Sequence, residues 1–273
     1  IRFLTLSIKR FYSVGINTKL VETLSTTIND IDVEHFNAAL KTTPELNNYD
    51  LELWKRSYDT FVHNEGFTSN RFLPIIINYP QILNQHPNDV HESIECWRSC
   101  QFGEYFVQGL IQKYPQLLKF KDDVKLRERI QLLHSYTNTR KHIWQLFMNS
   151  PNLVTDSSKI INEKIDYFAK TMNIIVPEVV KSAAFSQTLD TIKCRHIFLV
   201  RLGLFKKRKI NADPNEPSKN PKLYQIMDTS DKRFATKVAF VTHEEFEVFQ
   251  ELFQRELKRE ASNLLDDSDD EYE

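Results

Sequence analysis

An all-α solenoid is the fold class this sequence predicts, on three observations. A short string recurs in phase, Pro44-Glu45-Leu46, Pro80-Gln81-Ile82-Leu83, Pro115-Gln116-Leu117-Leu118 and Pro151-Asn152-Leu153-Val154, with prolines 36, 35 and 36 residues apart. Between the strings, apolar residues recur at helical spacing, as in Leu51, Trp54, Tyr58 and Phe61. Five glycines in 273 residues are too few for the many tight turns of a β-rich or dinucleotide-binding chain. A unit of this length cannot bury a face alone, so successive units must stack and share one core.

Within a unit each element has a reason. The proline cannot donate inside a helix, so it closes one, and the apolar pair behind it packs the chain back on the stack. Cap-type residues follow: Asp50, Asn88 or Asp89, Asp122 and Ser157. They open long helices carrying Val90, Ile94 and Trp97, then Leu126, Ile130 and Leu133, then Ile161, Ile165, Phe168 and Met172. Gly66-Phe67 and Phe102-Gly103 mark the turn to a shorter second helix, such as Phe106, Leu110, Ile111 and Tyr114 before Pro115. A fifth string, Pro221-Lys222-Leu223, lies 70 residues beyond Pro151, room for one unmarked unit. Stepping back from Gly203 puts the start of that unit at Ser182 and its cap at Thr188, with Leu189, Ile192 and Leu199 on one face and the surplus residues in the loop 206–219. The last unit runs from Pro221 to about Leu257.

Residues 1–21 contain no acid and carry Arg2, Lys9 and Arg10 among Thr5, Ser7 and Ser13, the composition of a mitochondrial presequence. Arg10-Phe11-Tyr12-Ser13 resembles a matrix-processing site, so the expected organisation is a presequence over 1–12, a repeat domain over 13–258 and a disordered acidic tail over 259–273. No stretch approaches the ~18 apolar residues that a membrane-spanning helix needs, and no membrane partner is expected.

Three cysteines, Cys96, Cys100 and Cys194, form no CxxC and no even framework, which fits buried thiols in a reducing compartment such as the matrix. His91 lies near Cys96 and Cys100, but a fourth zinc ligand at ordinary spacing is missing, so no metal site is expected. The phosphate-cradling, zincin and nucleophile-elbow motifs are all absent, and the histidines are scattered. A binding protein is expected, with no catalytic residue and no cofactor.

The net charge of −1 hides an asymmetry, because the tail from Glu260 holds seven acids and no base. Residues 1–259 therefore carry 36 bases against 30 acids, and about three bases in excess once the presequence is set aside. A nucleic-acid site must come from local clusters, of which two stand out. One is Lys125, Arg127, Arg129, Arg140 and Lys141; the other is Lys193, Arg195 and Arg201 with the run Lys206, Lys207, Arg208 and Lys209. Bases repeated once or twice per unit form a stripe that can track a phosphate backbone. Interleaved Asp123 and Glu128 leave an ordinary solvated face as the other reading of the first cluster.

Near the carboxyl end, Thr242-His243-Glu244-Glu245 resembles a capping box, and Phe246, Phe249, Leu252, Phe253 and Leu257 make an apolar stripe. That stripe is either the buried face of an end cap or a protein-docking surface, and Val248 widens it beyond what a cap needs. If it docks a partner, charge reversal at Phe249 or Phe253 leaves the array folded; if it is core, helicity falls.

The unit of helix, turn, helix and Pro-x-Leu-Leu, with the segments Ile192-Lys193-x-Arg195-His196 and Leu202-Gly203-Leu204, resembles the mTERF family over about residues 20–258. Asn220-Pro221-x-Leu223, Glu244-Glu245-Phe246-x-Val248-Phe249 and the acidic tail are similar to its fourth animal paralogue. The resemblance implies a right-handed superhelical array with a basic side for mitochondrial ribosomal RNA. It implies as partner an NSUN-type RNA cytosine-5 methyltransferase, docked in a heterodimer through Phe246, Phe249, Leu252 and Phe253 and delivered to the large ribosomal subunit. Any S-adenosylmethionine belongs to that partner. The family name carries the other reading, a sequence-specific binder of double-stranded mitochondrial DNA that regulates transcription or its termination.

Overall fold

The computed structural model describes residues 18–28, 30–207 and 219–269, with side chains to residue 259. Among the described residues there is no strand, and the helices fall into two compact units, Ile1–Asp123 and Val124–Glu273. The expected presequence, residues 1–12, lies outside the described residues.

In the first unit, helices α1 (Thr18–Thr27), α3 (Leu51–Tyr58) and α5 (Pro87–Arg98) alternate with α2 (Val33–Thr42), α4 (Ser69–Asn78) and α6 (Glu104–Lys113). The second helices α2, α4 and α6 pack side by side, and α1 packs on α3. Each proline string folds as a 3-10 turn, at Pro44–Asn48, Pro80–Asn84 and Pro115–Lys119. Proline disfavours helical backbone in the residue before it, and Thr43, Tyr79 and Tyr114 accordingly leave the helix at φ −132°, −151° and −133°. The residues behind each proline, Leu46, Ile82 with Leu83, and Leu117 with Leu118, are buried. They join Trp54, Phe61, Phe72 and Trp97 in the core.

The second unit repeats the plan with α7 (Asp123–Thr137), α8 (Arg140–Asn149), α9 (Ser158–Asp166), α10 (Val176–Val180), α11 (Leu189–Arg201), α12 (Leu223–Met227), α13 (Asp231–Phe234) and α14 (His243–Asp269). Helices α8, α10 and α12 form one layer; α9 and α14 both pack on α11. In the unit without a proline, Thr188 caps α11 as expected, its Oγ1 accepting the Thr191 N–H at 3.1 Å. The 3-10 turn before it spans Ala184–Ser186. The fifth proline string departs from the others. Pro221 is followed by the helical turn α12, because Gln225 Oε1 accepts the Lys222 N–H at 2.8 Å. Leu223 and Ile226 are still fully buried.

Three features were not legible as features. The first is the left-handed residue at the turn between paired helices, which is Gly66 and Gly203 at two turns but Gln101, Asn138 and Asn173 elsewhere; Gly103, at φ +97° and ψ +144°, instead caps α6. Asn tolerates that region through local hydrogen bonding. The second is a widened, π-helical end to three first helices, at Asp59–Asn64, Tyr167–Thr171 and Ala235–Ala239. The third is a clamp. In four helices the seventh residue donates to carbonyls in or just beyond the next 3-10 turn or α12: Ser93 to Phe120 O at 2.8 Å, Arg129 to Asp156 O, Lys164 to Phe185 O at 2.8 Å and Arg195 to Ile226 O at 2.6 Å. Arg56, the sixth residue of α3, does the same to Leu83 O at 3.0 Å. Such turns leave carbonyls without helical partners, and the clamp satisfies them while tying one repeat to the next.

Candidate nucleic-acid and partner interface

The basic residues expected to bind nucleic acid fall into three groups. Arg129 and Arg195 are buried, 9% and 4% exposed, so their assignment to nucleic acid is corrected here. The guanidinium of Arg195 reaches Ile226 O, Thr229 O at 2.9 Å and Asp231 Oδ1 at 2.6 Å, and lies 4.9 Å from the Phe234 ring. Burial works to raise the Asp231 carboxyl, but the hydrogen bonds from Arg195 and Gln250 hold it below its ordinary value. Arg129 has the same place on α7, where burial disfavours its charge. Neither head group is offered to solvent, since the seventh position of each helix faces the adjoining turn.

Lys125, Arg127 and Lys193 form the second group, on the first two turns of α7 and α11, the first two exposed and Lys193 half-buried. Arg201, at the far end of α11, is half exposed, pairs with Glu256 at 2.8 Å and lies over the Phe249 ring at 5.2 Å. Its charge is therefore already engaged by α14.

The third group lies at the turns between paired helices. Arg140 and Lys141 follow the left-handed Asn138 and occupy the first turn of α8, which holds no acid. A helix amino terminus favours negative charge, so two bases there cost stability and sharpen the site for an anion. Lys206 and Lys207 follow Gly203; Lys207 Nζ donates to Lys170 O at 2.7 Å, which brings the turn of one repeat onto that of the one before. Asn220 holds this segment by accepting from the Lys206 N–H at 2.9 Å and donating to its carbonyl at 2.8 Å. Exposed Lys170, which pairs with Asp166 at 2.9 Å, and exposed Lys237 lie on the other side of their turns and were missed. The signal for them was available, because each precedes a left-handed turn residue, Asn173 or Phe240, by three positions. Arg208 and Lys209 lie outside the described residues.

The carboxyl-terminal stripe is corrected more sharply. Phe246, Phe249 and Phe253 are 0%, 8% and 3% exposed. Phe246 packs 4.9 Å from Phe234 and 5.1 Å from Phe198, and Phe249 lies 4.6 Å from Phe198. They are the seam by which α14 closes the stack. Leu252 alone of the expected docking residues faces out, at 47% exposed, and Val248 beside it is 59% exposed. The capping box is present: Glu245 Oε2 accepts the Thr242 N–H at 2.7 Å and Thr242 Oγ1 accepts the Glu245 N–H at 3.2 Å. The helix it opens continues to Asp269, so the boundary expected at residue 258 is not the end of regular structure.

In the first unit, Glu65, His91 and Glu95 place three ligand-type atoms within 4.8 Å of one another. Arg98 fills that space, donating to Glu65 and Glu95 at 2.7 and 2.8 Å and to Glu104 at 3.0 Å. His91 bonds Glu65 at 2.7 Å. Cys96, Cys100 and Cys194 are buried and not joined in disulfides, and burial pushes the Cys194 thiol up to about 11. Among the described residues no helix is long and apolar enough to cross a membrane.

Comparison with known proteins places this architecture. The chain is 26% identical over 177 residues to Transcription termination factor 4, mitochondrial, of Mus musculus, covering 65% of this chain and 51% of that protein. It is 22% identical over 108 residues to Transcription termination factor 1, mitochondrial, of Homo sapiens and of Pongo abelii, covering 39% of this chain and 27% of each. The alignments thus span about half or less of these relatives. The mTERF family model matches residues 3–235, through both units and the recurring turns described above, and the chain belongs to the mTERF family.

Proposed function

We propose that this protein is a non-catalytic, RNA-binding adaptor of the mitochondrial matrix. It recruits an NSUN-type RNA cytosine-5 methyltransferase to the large mitochondrial ribosomal subunit and so supports ribosome assembly and translation. The carrying observation is the outer face of α14. A helix that only ends a stack should turn a polar face to water. Here the inward stripe is complete in Phe246, Phe249 and Phe253, yet Val248 and Leu252 remain exposed on another side. The RNA would follow the inter-helix turns of the second unit, where Arg140, Lys141, Lys170, Lys206, Lys207 and Lys237 supply one or two bases per repeat. Catalytic groups and S-adenosylmethionine belong to the methyltransferase.

Phosphate contacts alone carry no sequence information, so the same bases would also serve a reader of duplex mitochondrial DNA. Crosslinking of the tagged protein in intact mitochondria separates the two readings. Recovery of large-subunit ribosomal RNA together with the methyltransferase supports the adaptor. Recovery of discrete mitochondrial DNA segments without it refutes the adaptor and assigns the turn-edge bases to transcription.

A further inference from the structure

At the turns between paired helices the left-handed position is filled by Gly66, Asn138, Asn173 and Gly203, residues that accept it readily, and by Gln101, an unbranched polar side chain. Before α14 it is filled by Phe240, at φ +58° and ψ +36°. A bulky side chain there is an outlier, and strain of this kind persists only where the surroundings enforce it. They do so here. The Val241 N–H donates to Ala235 O at 3.0 Å on one side, and the Thr242–Glu245 capping box fixes the other. The ring gains little packing in return, since it is 75% exposed, more than any other large apolar side chain among the described residues. Just beyond it, α14 carries Glu244, Val248 and Leu252 at successive i, i+4 positions, with exposed Glu247 and Glu251 alongside.

We infer that Phe240 is the anchor of the docking surface on α14: it inserts into an apolar pocket of a protein partner whose rim is basic. The inference rests on the adaptor reading and names the residue and the partner chemistry which that reading leaves open. Exposed aromatic anchors inside a charged rim are where binding energy concentrates. The rim holds Glu244, Glu247 and Glu251 against Lys237 and Arg255, the latter pairing with Glu251 at 3.8 Å, so acids are in excess and the complementary surface carries Lys or Arg.

The test is Phe240→Asn in the full chain, with the purified NSUN-type methyltransferase of the same organism as probe. Asn accepts the left-handed backbone, so the variant should melt about 2–4 °C higher than the parent. Its affinity for the methyltransferase should fall at least about tenfold. Parent affinity should also weaken with added salt. A variant that binds as tightly as the parent overturns this inference and leaves the adaptor reading standing. A parent chain that does not bind the methyltransferase overturns the adaptor reading, and this inference with it. A variant that loses helicity shows the ring to be packed, and a dimer by sedimentation that Phe240→Asn abolishes gives the face to a second copy; either result overturns the proposal.

Discussion

Replacing Arg195 with Met removes a charge but keeps an apolar stem of similar reach, and the structure sets what this should cost. The side chain is 5% exposed and its guanidinium serves Ile226 O, Thr229 O and Asp231 Oδ1. Each buried carbonyl left without a donor costs about 1–3 kcal/mol. Asp231 is 43% exposed and also accepts from Gln250 at 3.2 Å, so it rehydrates and adds little. The sum is about 3 kcal/mol, near the lower end of what breaking a buried ion pair costs. For a chain of this size that lowers the melting temperature by roughly 6–12 °C. Thermal melts followed by circular dichroism measure the loss, and a filter-binding titration with large-subunit ribosomal RNA measures affinity well below the melt. Arg195→Met should melt early and bind RNA as the parent does. A variant that melts like the parent but loses RNA would mean that Arg195 reaches phosphate, and would refute both its burial and the clamp.

Lys206→Glu with Lys207→Glu should do the reverse: melting within the equivalent of about 0.5 kcal/mol of the parent, weaker RNA binding and a shallower salt dependence. Unchanged affinity and slope would remove the turn edge from the interface. Leu252→Glu should leave helicity intact and abolish methyltransferase binding, whereas Phe249→Glu should collapse the carboxyl-terminal stack by burying an unpaired charge. Equal helicity in the two variants would contradict the division of α14 into a buried and an open face. His196 is 6% exposed, bonded to the Tyr167 hydroxyl at 2.8 Å, and burial lowers its pKa from 6.5 to about 4. The unfolded chain therefore takes up this proton first as pH falls. The stability His196 protects is full above pH 6.5 and is lost towards pH 4, on the order of 3 kcal/mol in all. Denaturant melts across that window should show the slope, and His196→Gln should flatten it.

What was legible follows from what repeats by residue type. Prolines and the apolar pairs behind them act through backbone restriction and volume, which few residue types supply, so their spacing alone gave the helical repeat and even the cap of the unit that lacks a proline. The clamps repeat by geometry. Any side chain long or polar enough to reach a carbonyl will serve, and the chain uses Ser93, Arg129, Lys164 and Arg195 at the seventh position of successive helices. Counting seven from the caps Asp122, Ser157 and Thr188 lands on Arg129, Lys164 and Arg195, so the register was present in the sequence. Their charge drew the two arginines into a nucleic-acid cluster instead.

The aromatic stripe misled for a related reason. Spacing shows that Phe246, Phe249 and Phe253 share a face but cannot say whether the chain itself covers it. Here Phe198 on α11 and Phe234 on α13 cover Phe246, and Phe198 also covers Phe249. The apolar residues that α14 and the turn before it leave open are Val248 and Leu252, and one whose backbone breaks the rule for its residue type, Phe240. Function in this array is therefore to be sought where a position departs from its repeat equivalents. A base at a helix amino terminus, an aromatic ring in left-handed backbone and an apolar side chain on an outer face each cost stability that the remainder of the repeat does not require.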